Sequence, residues 1–198
     1  MPLPFLALAT PPDEEPVTLA DAKIHLRVDG TAEDTLIGGL IVAARQAAEA
    51  HTNRAFVAQT WLWTLDDFPC AGKWLELPKA PLASLEKIEV RGASGTYAEA
   101  TLADFDVLAP AGPYAPPATV GPMPDKAWPS SDWAGAARAR FQFVAGYGDG
   151  ESVPEAIKSA IKLILTDLYE NRAAQAERAL TENAAVKALL FPFRVHYV

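Results

Sequence analysis

Apolar and polar residues change their period twice along this chain. From Thr18 to His51 the apolar positions recur at helical spacing. From Gln59 to Tyr147 they alternate in short runs, and from Ser152 to Leu190 the helical spacing returns. Thr18 and Asp21 have capping-box spacing and predict a helix through LADAKIHLRV, stopping near Asp29-Gly30. Thr31 and Asp34 repeat that signature. Beyond them Leu36, Ile37, Leu40, Ile41, Ala44, Ala47 and Ala48 fall on one face. Arg45 and Glu49, four apart, are expected to pair on the exposed face, for roughly a few tenths of a kcal/mol.

The middle of the chain reads as strands: TWLWTLDDF, WLELP, SLEKIEVRG, ADFDVLAP and ARARFQFVAGY. In the last of these Ala139, Phe141 and Phe143 share one face, while Arg138, Arg140, Gln142 and Val144 share the other. GASG at 92–95 predicts a hairpin turn. The segment 110–131 is rich in proline and glycine and is expected to be a long loop, because proline donates no ladder hydrogen bond. Ser152 and Glu155 predict a third capping box, with Pro154 in the first turn. Ile157, Ala160, Ile161, Ile164, Leu165 and Leu168 form the next stripe, which Tyr169 extends, and that helix should end near Arg172. A short helix, about ENAAVKALL, precedes Pro192.

These patterns predict an α+β fold. Residues 1–16 are an extended N-terminal arm, flexible or docked. Residues 17–58 and 147–190 together make a helical core. Residues 59–146 are an inserted, antiparallel β-rich lobe, and 191–198 are a C-terminal tail. That tail interleaves Phe191, Phe193, Val195 and Tyr197 with Arg194 and His196, which suits docking into a partner.

Composition narrows the function classes. The chain has 198 residues, half of them hydrophobic, and a formal net charge of -8. Such an acidic chain does not suit wrapping nucleic acid by neutralising phosphates, although it suits lining a path for DNA. Cys70 is the single cysteine, which excludes an intrachain disulfide and a thiolate metal cluster. No apolar run approaches a membrane span. The N-terminus lacks the basic flank of a signal peptide.

Chemistry is sparse. His25, His51 and His196 lack zinc-motif spacing, and GYGDG lacks the lysine and hydroxyl of a phosphate loop. Asp66-Asp67 and the pair Asp104 and Asp106 read as solvated carboxylates. No catalytic residue, cofactor or metal is expected. Trp61, Trp63 and Trp74 read as lobe packing. A sugar-binding or hydrolytic surface of Trp61 and Trp63 with Asp66 and Asp67 is the alternative, and it requires those side chains to converge on one pocket. Trp128, Trp133, Arg138 and Arg140 are candidate subunit contacts.

The order of several pieces carries a resemblance. VTLADAKIHLRVDGTAEDTLIGGLIVAARQAAEAHTNRAFVAQTW, LPKAPLASLEKIEV, Trp128-Pro129, FVAGYGDGESVPEAIKSAIKLILTDLYENR and the final LLFPFRV follow one another over residues 17–198. Together they resemble the phage head–tail connector, or adaptor, proteins of the HK97-type connector group, also present in gene transfer agents. Leu190 to Arg194 are similar to that family's LLxPxR pattern, with Phe193 where tyrosine is common. The resemblance implies a ring of twelve copies beneath a portal protein, extending the channel toward a stopper or tail-completion protein. Double-stranded DNA passes through without specific binding, and no membrane is involved. It further implies a place in the neck of a phage-like particle assembled in the bacterial cytoplasm. Phe191, Phe193, Arg194, Val195, His196 and Tyr197 would engage the portal. A stopper or tail-completion ring is the alternative within the same particle.

Overall fold

The computed structural model describes residues 5–70, 72–171 and 183–196. Contacts divide the chain into two units. One comprises Met1–Pro12 and Ala58–Gly146, and the other Asp13–Val57 and Tyr147–Val198.

The first unit is built on two antiparallel sheets. Strands β1 (Phe5–Thr10), β2 (Gln59–Leu65), β3 (Leu75–Glu76), β4 (Leu82–Arg91), β5 (Tyr97–Glu99), β6 (Phe105–Leu108), β7 (Thr119–Pro122) and β8 (Ala139–Ala145) follow in chain order. The larger sheet has five strands in the order β1-β2-β8-β4-β5. Its centre is β8, whose Ala139, Phe141, Phe143 and Ala145 are buried. Trp61 and Trp63 lie opposite Phe143 and Phe141 in register and so face the same core. On the other face Arg140 pairs with Glu89 at 2.6 Å and Gln142 donates to Glu86 at 2.7 Å.

Strand β4 departs from plain alternation. Its partners of Ala145, Phe143, Phe141 and Ala139 are Leu82, Leu85, Ile88 and Val90, and the register shifts twice, before Ser84 and before Lys87. Each bulge turns the next apolar residue back toward the core, so an uneven spacing still fills one face. The arm at 5–10 is extended as a strand and is paired with β2, with a bulge between Leu8 and Thr10.

The smaller sheet runs β3-β7-β6. Its central strand lies inside the proline-rich segment, which corrects the expectation of a long loop at 110–131. Proline is tolerated because Pro122 is the strand's last residue, while Val120 and Gly121 lie within the ladder. Gly121 has a steric reason: a Cβ there would come within 2.5 Å of the Trp74 indole.

The second unit is helical. Helix α1 (Leu19–Leu26) is capped by Thr18, whose hydroxyl accepts from the Asp21 amide at 3.1 Å. It ends early, at Arg27, which takes the left-handed conformation. Helix α2 (Asp34–Thr52) lacks the expected Thr31 cap. The Asp34 carboxylate instead binds Lys23 at 2.7 Å. Helix α3 (Glu155–Glu170) likewise starts without the expected Ser152 cap, and Lys158 holds Glu155 and the Glu151 carbonyl, each at 3.0 Å. Helix α4 (Ala184–Leu190) and a 3-10 turn, Phe191–Phe193, complete it. The core joins Ile37, Ile41, Ala44 and Ala48 of α2 to Ile157, Ala160, Ile161, Ile164 and Leu165 of α3, with Phe56, Val186, Leu190 and Phe193.

Arg45 and Glu49 pair at 2.8 Å, but in the interior: they are 4% and 6% exposed. This corrects the reading of a surface pair. Arg45 also binds Glu15 at 2.7 Å, and Glu49 accepts the Phe56 amide at 2.8 Å. Burial opposes the Arg45 charge, yet the hydrogen bond to Glu15 and the charges of Glu49 and Glu15 outweigh it and raise its pKa above the ordinary guanidinium value. Glu14 accepts the Gly150 amide at 2.6 Å. The acidic run before α1 is thus a strap tied to α2 and to the turn before α3.

Two stability predictions follow from the second unit. Arg45→Ala strands the Glu49 carboxylate and should cost about 3–5 kcal/mol, whereas Glu155→Ala at the exposed end of its pair should cost under about 1 kcal/mol. Urea denaturation of both variants checks this, and a near-neutral Arg45→Ala would contradict the buried network. Phe193→Ala should cost about 3–5 kcal/mol and Phe191→Ala less than about 0.5 kcal/mol. Equal effects on the denaturation midpoint would contradict the inward placement of Phe193.

Candidate functional site

The end of α4 builds a surface of alternating character. The Asn183 side-chain oxygen accepts from the amides of Ala185 at 3.1 Å and Val186 at 3.4 Å, which fixes where the helix begins. Val186 and Leu190 then face the core. The following 3-10 turn carries Pro192 near its start, where a missing N–H costs nothing. Past it the side chains alternate. Phe191 is 73% exposed and Phe193 only 2%; Arg194 is exposed, Val195 buried and His196 exposed.

Three hydrogen bonds hold this alternation in place. The Val195 amide donates to the Thr52 carbonyl at 2.9 Å. The Asn53 side-chain amide donates to the Val195 carbonyl at 3.0 Å, and Arg54 donates to the Phe193 carbonyl. Asn53 sits in the left-handed conformation that ends α2, and so turns the chain toward the C-terminal residues. Phe193 and Val195 therefore gain their burial from the chain's own helices. This corrects the expectation that both are free for a partner. The reason is the position of Thr52–Arg54, which supplies polar partners to that backbone while the core receives the side chains. Tyr197 lies outside the described residues.

What remains outward is Phe191, Arg194 and His196. Lys187, exposed on α4, joins them one helical turn before Phe191. His51, half-buried at the end of α2, has its pKa lowered first by burial and then by the positive charges of Arg194 and Lys187. Both cations thus lie close enough to His51 to disfavour its charged form. The patch combines an exposed aromatic side chain with an exposed arginine, two residue types enriched in interfaces. Lys187 was missed by sequence reading, although its spacing of four from Phe191 is a helical-face signal.

The other predicted contacts are occupied within the chain. Trp128 is buried: it stacks on Phe68 at 5.3 Å between ring centroids, meets the Phe141 edge at 6.0 Å, and donates to the Lys73 carbonyl at 2.9 Å. Trp133 lies under the Arg91 guanidinium at 4.5 Å. Arg138 binds Asp67 at 2.8 Å, and Arg140 lies 3.9 Å from the Tyr97 ring centre while paired with Glu89. The hydrogen bond to Glu89 raises the Arg140 pKa against the effect of burial. Of these four only Trp128 is buried within the chain, while Trp133, Arg138 and Arg140 keep part of their surface exposed beside their intrachain partners.

The hydrolytic alternative fares no better. Trp63 packs on Phe141 at 5.6 Å, Lys79 covers the Trp61 ring at 5.2 Å, and Asp67 faces Arg138. Asp66 accepts from the Ala137 amide at 3.4 Å. Each is committed to packing or pairing of its own. Among the described residues no group of three or more His, Cys, Asp or Glu is placed to hold a metal ion. No helix among them is long and apolar enough to cross a membrane.

Comparison with known proteins points the same way. Residues 16–88 match the family model of the phage gp6-like head-tail connector protein. Head completion protein gp6 of Enterobacteria phage HK97 is 43% identical over 42 residues, which are 21% of this chain and 39% of that protein. The chain thus spans well under half the length of this curated relative. In fold the likeness is far longer. The neck of an empty gene transfer agent particle, computed with C6 symmetry, contains a chain with TM-score 0.81 and 21% identity, covering 98% of this chain and 97% of that one. The neck of a native particle, computed with C12 symmetry, gives TM-score 0.76 at 21% identity, covering 98% and 97%. The virion of a native gene transfer agent particle gives TM-score 0.77 at 22% identity, covering 98% and 96%. Residues 16–88 are thus similar to the phage gp6-like head–tail connector family, within a mixed α+β fold shared along nearly the whole chain with proteins of gene transfer agent necks.

Proposed function

We propose that this chain is a head–tail adaptor of a phage-like particle, of the gene transfer agent kind, and works as a structural part rather than as an enzyme. The observation that carries the reading is the near-complete fold likeness to neck proteins, joined to connector-family sequence in the first helices and strands. In this reading twelve copies form a ring in the neck, as the C12 symmetry of one similar particle suggests. The ring sits beneath the portal and receives the stopper or tail-completion protein on its far side. It assembles in the bacterial cytoplasm.

The C-terminal surface suits the portal side. Phe191 is the aromatic anchor, while Arg194, His196 and Lys187 supply positive charge around it. Tyr197 follows directly in sequence. Phe193 and Val195 act indirectly: their burial fixes the direction in which Phe191 and Arg194 project. Aromatic and arginine side chains near an interface centre are where alanine substitution costs most binding energy. The formal charge of -8 suits a ring whose channel passes double-stranded DNA without holding it, because few phosphates would be neutralised.

Capture on the portal tests the reading. Full-length Phe191→Ala and Arg194→Glu should each weaken co-sedimentation with the portal ring about tenfold or more, with thermal unfolding unchanged. Wild-type capture by both variants would reject the C-terminal surface as the portal site. Failure of the unaltered chain to bind any portal ring would reject the adaptor reading.

A further inference from the structure

Two exposed faces of the chain complement one another, one on each unit. The first lies on α1. Ile24 is 77% exposed, and a cleft of about 440 Å³ runs beside it, lined by Ala20, Lys23, Arg27 and Val28 and ending at Asp29 and Gly30. Several charges here are already engaged. The Thr18 hydroxyl donates to Asp21 at 2.8 Å, and Lys23 binds Asp34 and the Gly30 carbonyl. Arg27 is exposed and is the cation this face presents beside Ile24. The left-handed turn at Arg27 fixes its backbone at the end of the helix.

The second face is the outer side of the three-stranded sheet. Register places Glu76 and Leu108 on either side of Thr119, and Asp106 opposite Gly121, which Trp74 covers. Val120 and Phe105, on the reverse side, are buried. The outer side is therefore apolar at Trp74 and Leu108, which are 42% and 55% exposed. Its acids are Glu76 and Asp106, both exposed and neither in an ion pair among the described residues. Nearby Asp104 is neutralised by Lys126 at 2.7 Å.

We propose that copies of this chain meet heterologously, with Ile24 and Arg27 of one copy seated against Trp74, Leu108, Glu76 and Asp106 of the next. Leu108 is a size of side chain that enters the cleft, and Arg27 reaches the carboxylates that rim it. The two patches differ and lie on one chain, so each copy offers a free face after every addition; such a heterologous contact gives a ring where the rotation between copies closes and an open filament where it does not. Choosing a second copy as occupant rests on the adaptor reading; the complementarity of an apolar knob and cation with an apolar sheet and acids does not.

Cross-linking tests it in the full-length chain, free at high concentration and bound to the portal ring. In a Cys70→Ser background, Ile24→Cys with Leu108→Cys should give a ladder of dimers and higher multimers under mild oxidation. Leu36→Cys with Leu108→Cys should give none. Arg27→Glu should weaken self-association by about tenfold, as should Glu76→Lys with Asp106→Lys. Mixing those two variants restores complementary contacts at every junction and should recover assembly to within about threefold of wild type. A ladder no stronger than the control, with rings still formed on the portal, overturns this contact and leaves the adaptor reading standing. Absence of both ladder and rings overturns the contact together with the adaptor reading. Assembly of Arg27→Glu alone at wild-type strength also overturns the contact.

Discussion

The segment Thr52–Arg54 is the constraint on which the candidate surface depends. Helix α2 has to end there, because Asn53 turns left-handed. Three groups at that ending are used at once: the Thr52 carbonyl, the Asn53 side-chain amide and the Arg54 guanidinium all bind the backbone of residues 193–195. A helix end and a chain end thus satisfy each other's polar groups. Burial of Phe193 and Val195 adds the apolar half of the contact. The tail is consequently a folded piece of the second unit, and its outward residues are set by the residues it buries.

The same logic explains the ionic cluster behind it. Arg45, Glu15 and Glu49 are charges placed where charge is costly, and they are tolerated because each is matched. Glu49 also satisfies the Phe56 amide just beyond α2. One glutamate therefore joins a helix to the segment that leaves it. Well-packed apolar side chains of similar volume often do as well energetically as such a network, whereas removing one of its partners leaves a buried charge unmatched.

Much of the fold was legible in the chain. Helical period located α2 and α3, because a single apolar stripe fits no other structure over that length. Alternation located β8, whose two faces differ cleanly. Other parts were hidden for physical reasons. The i,i+4 spacing of Arg45 and Glu49 is the same on a surface and in an interior, and Glu15, which completes the cluster, is distant in sequence. The strand at SLEKIEVRG was legible, but its two bulges were not, because they depend on the register with β8. Strand β7 hides among prolines because it is only four residues long and ends on Pro122. The candidate site was half legible. Alternating aromatic and basic residues marked 191–196, but the same alternation describes a segment lying on its own core, and only Thr52–Arg54, far away in sequence, decides between the two.

Amide hydrogen exchange in the isolated full-length chain tests that decision most directly. A folded tail predicts that the Val195 amide, bonded to the Thr52 carbonyl, is protected to a degree comparable with the amides of α4 before any partner is added. Exchange of Val195 at the rate of an unstructured peptide, with protection gained only when a portal binds, would contradict it.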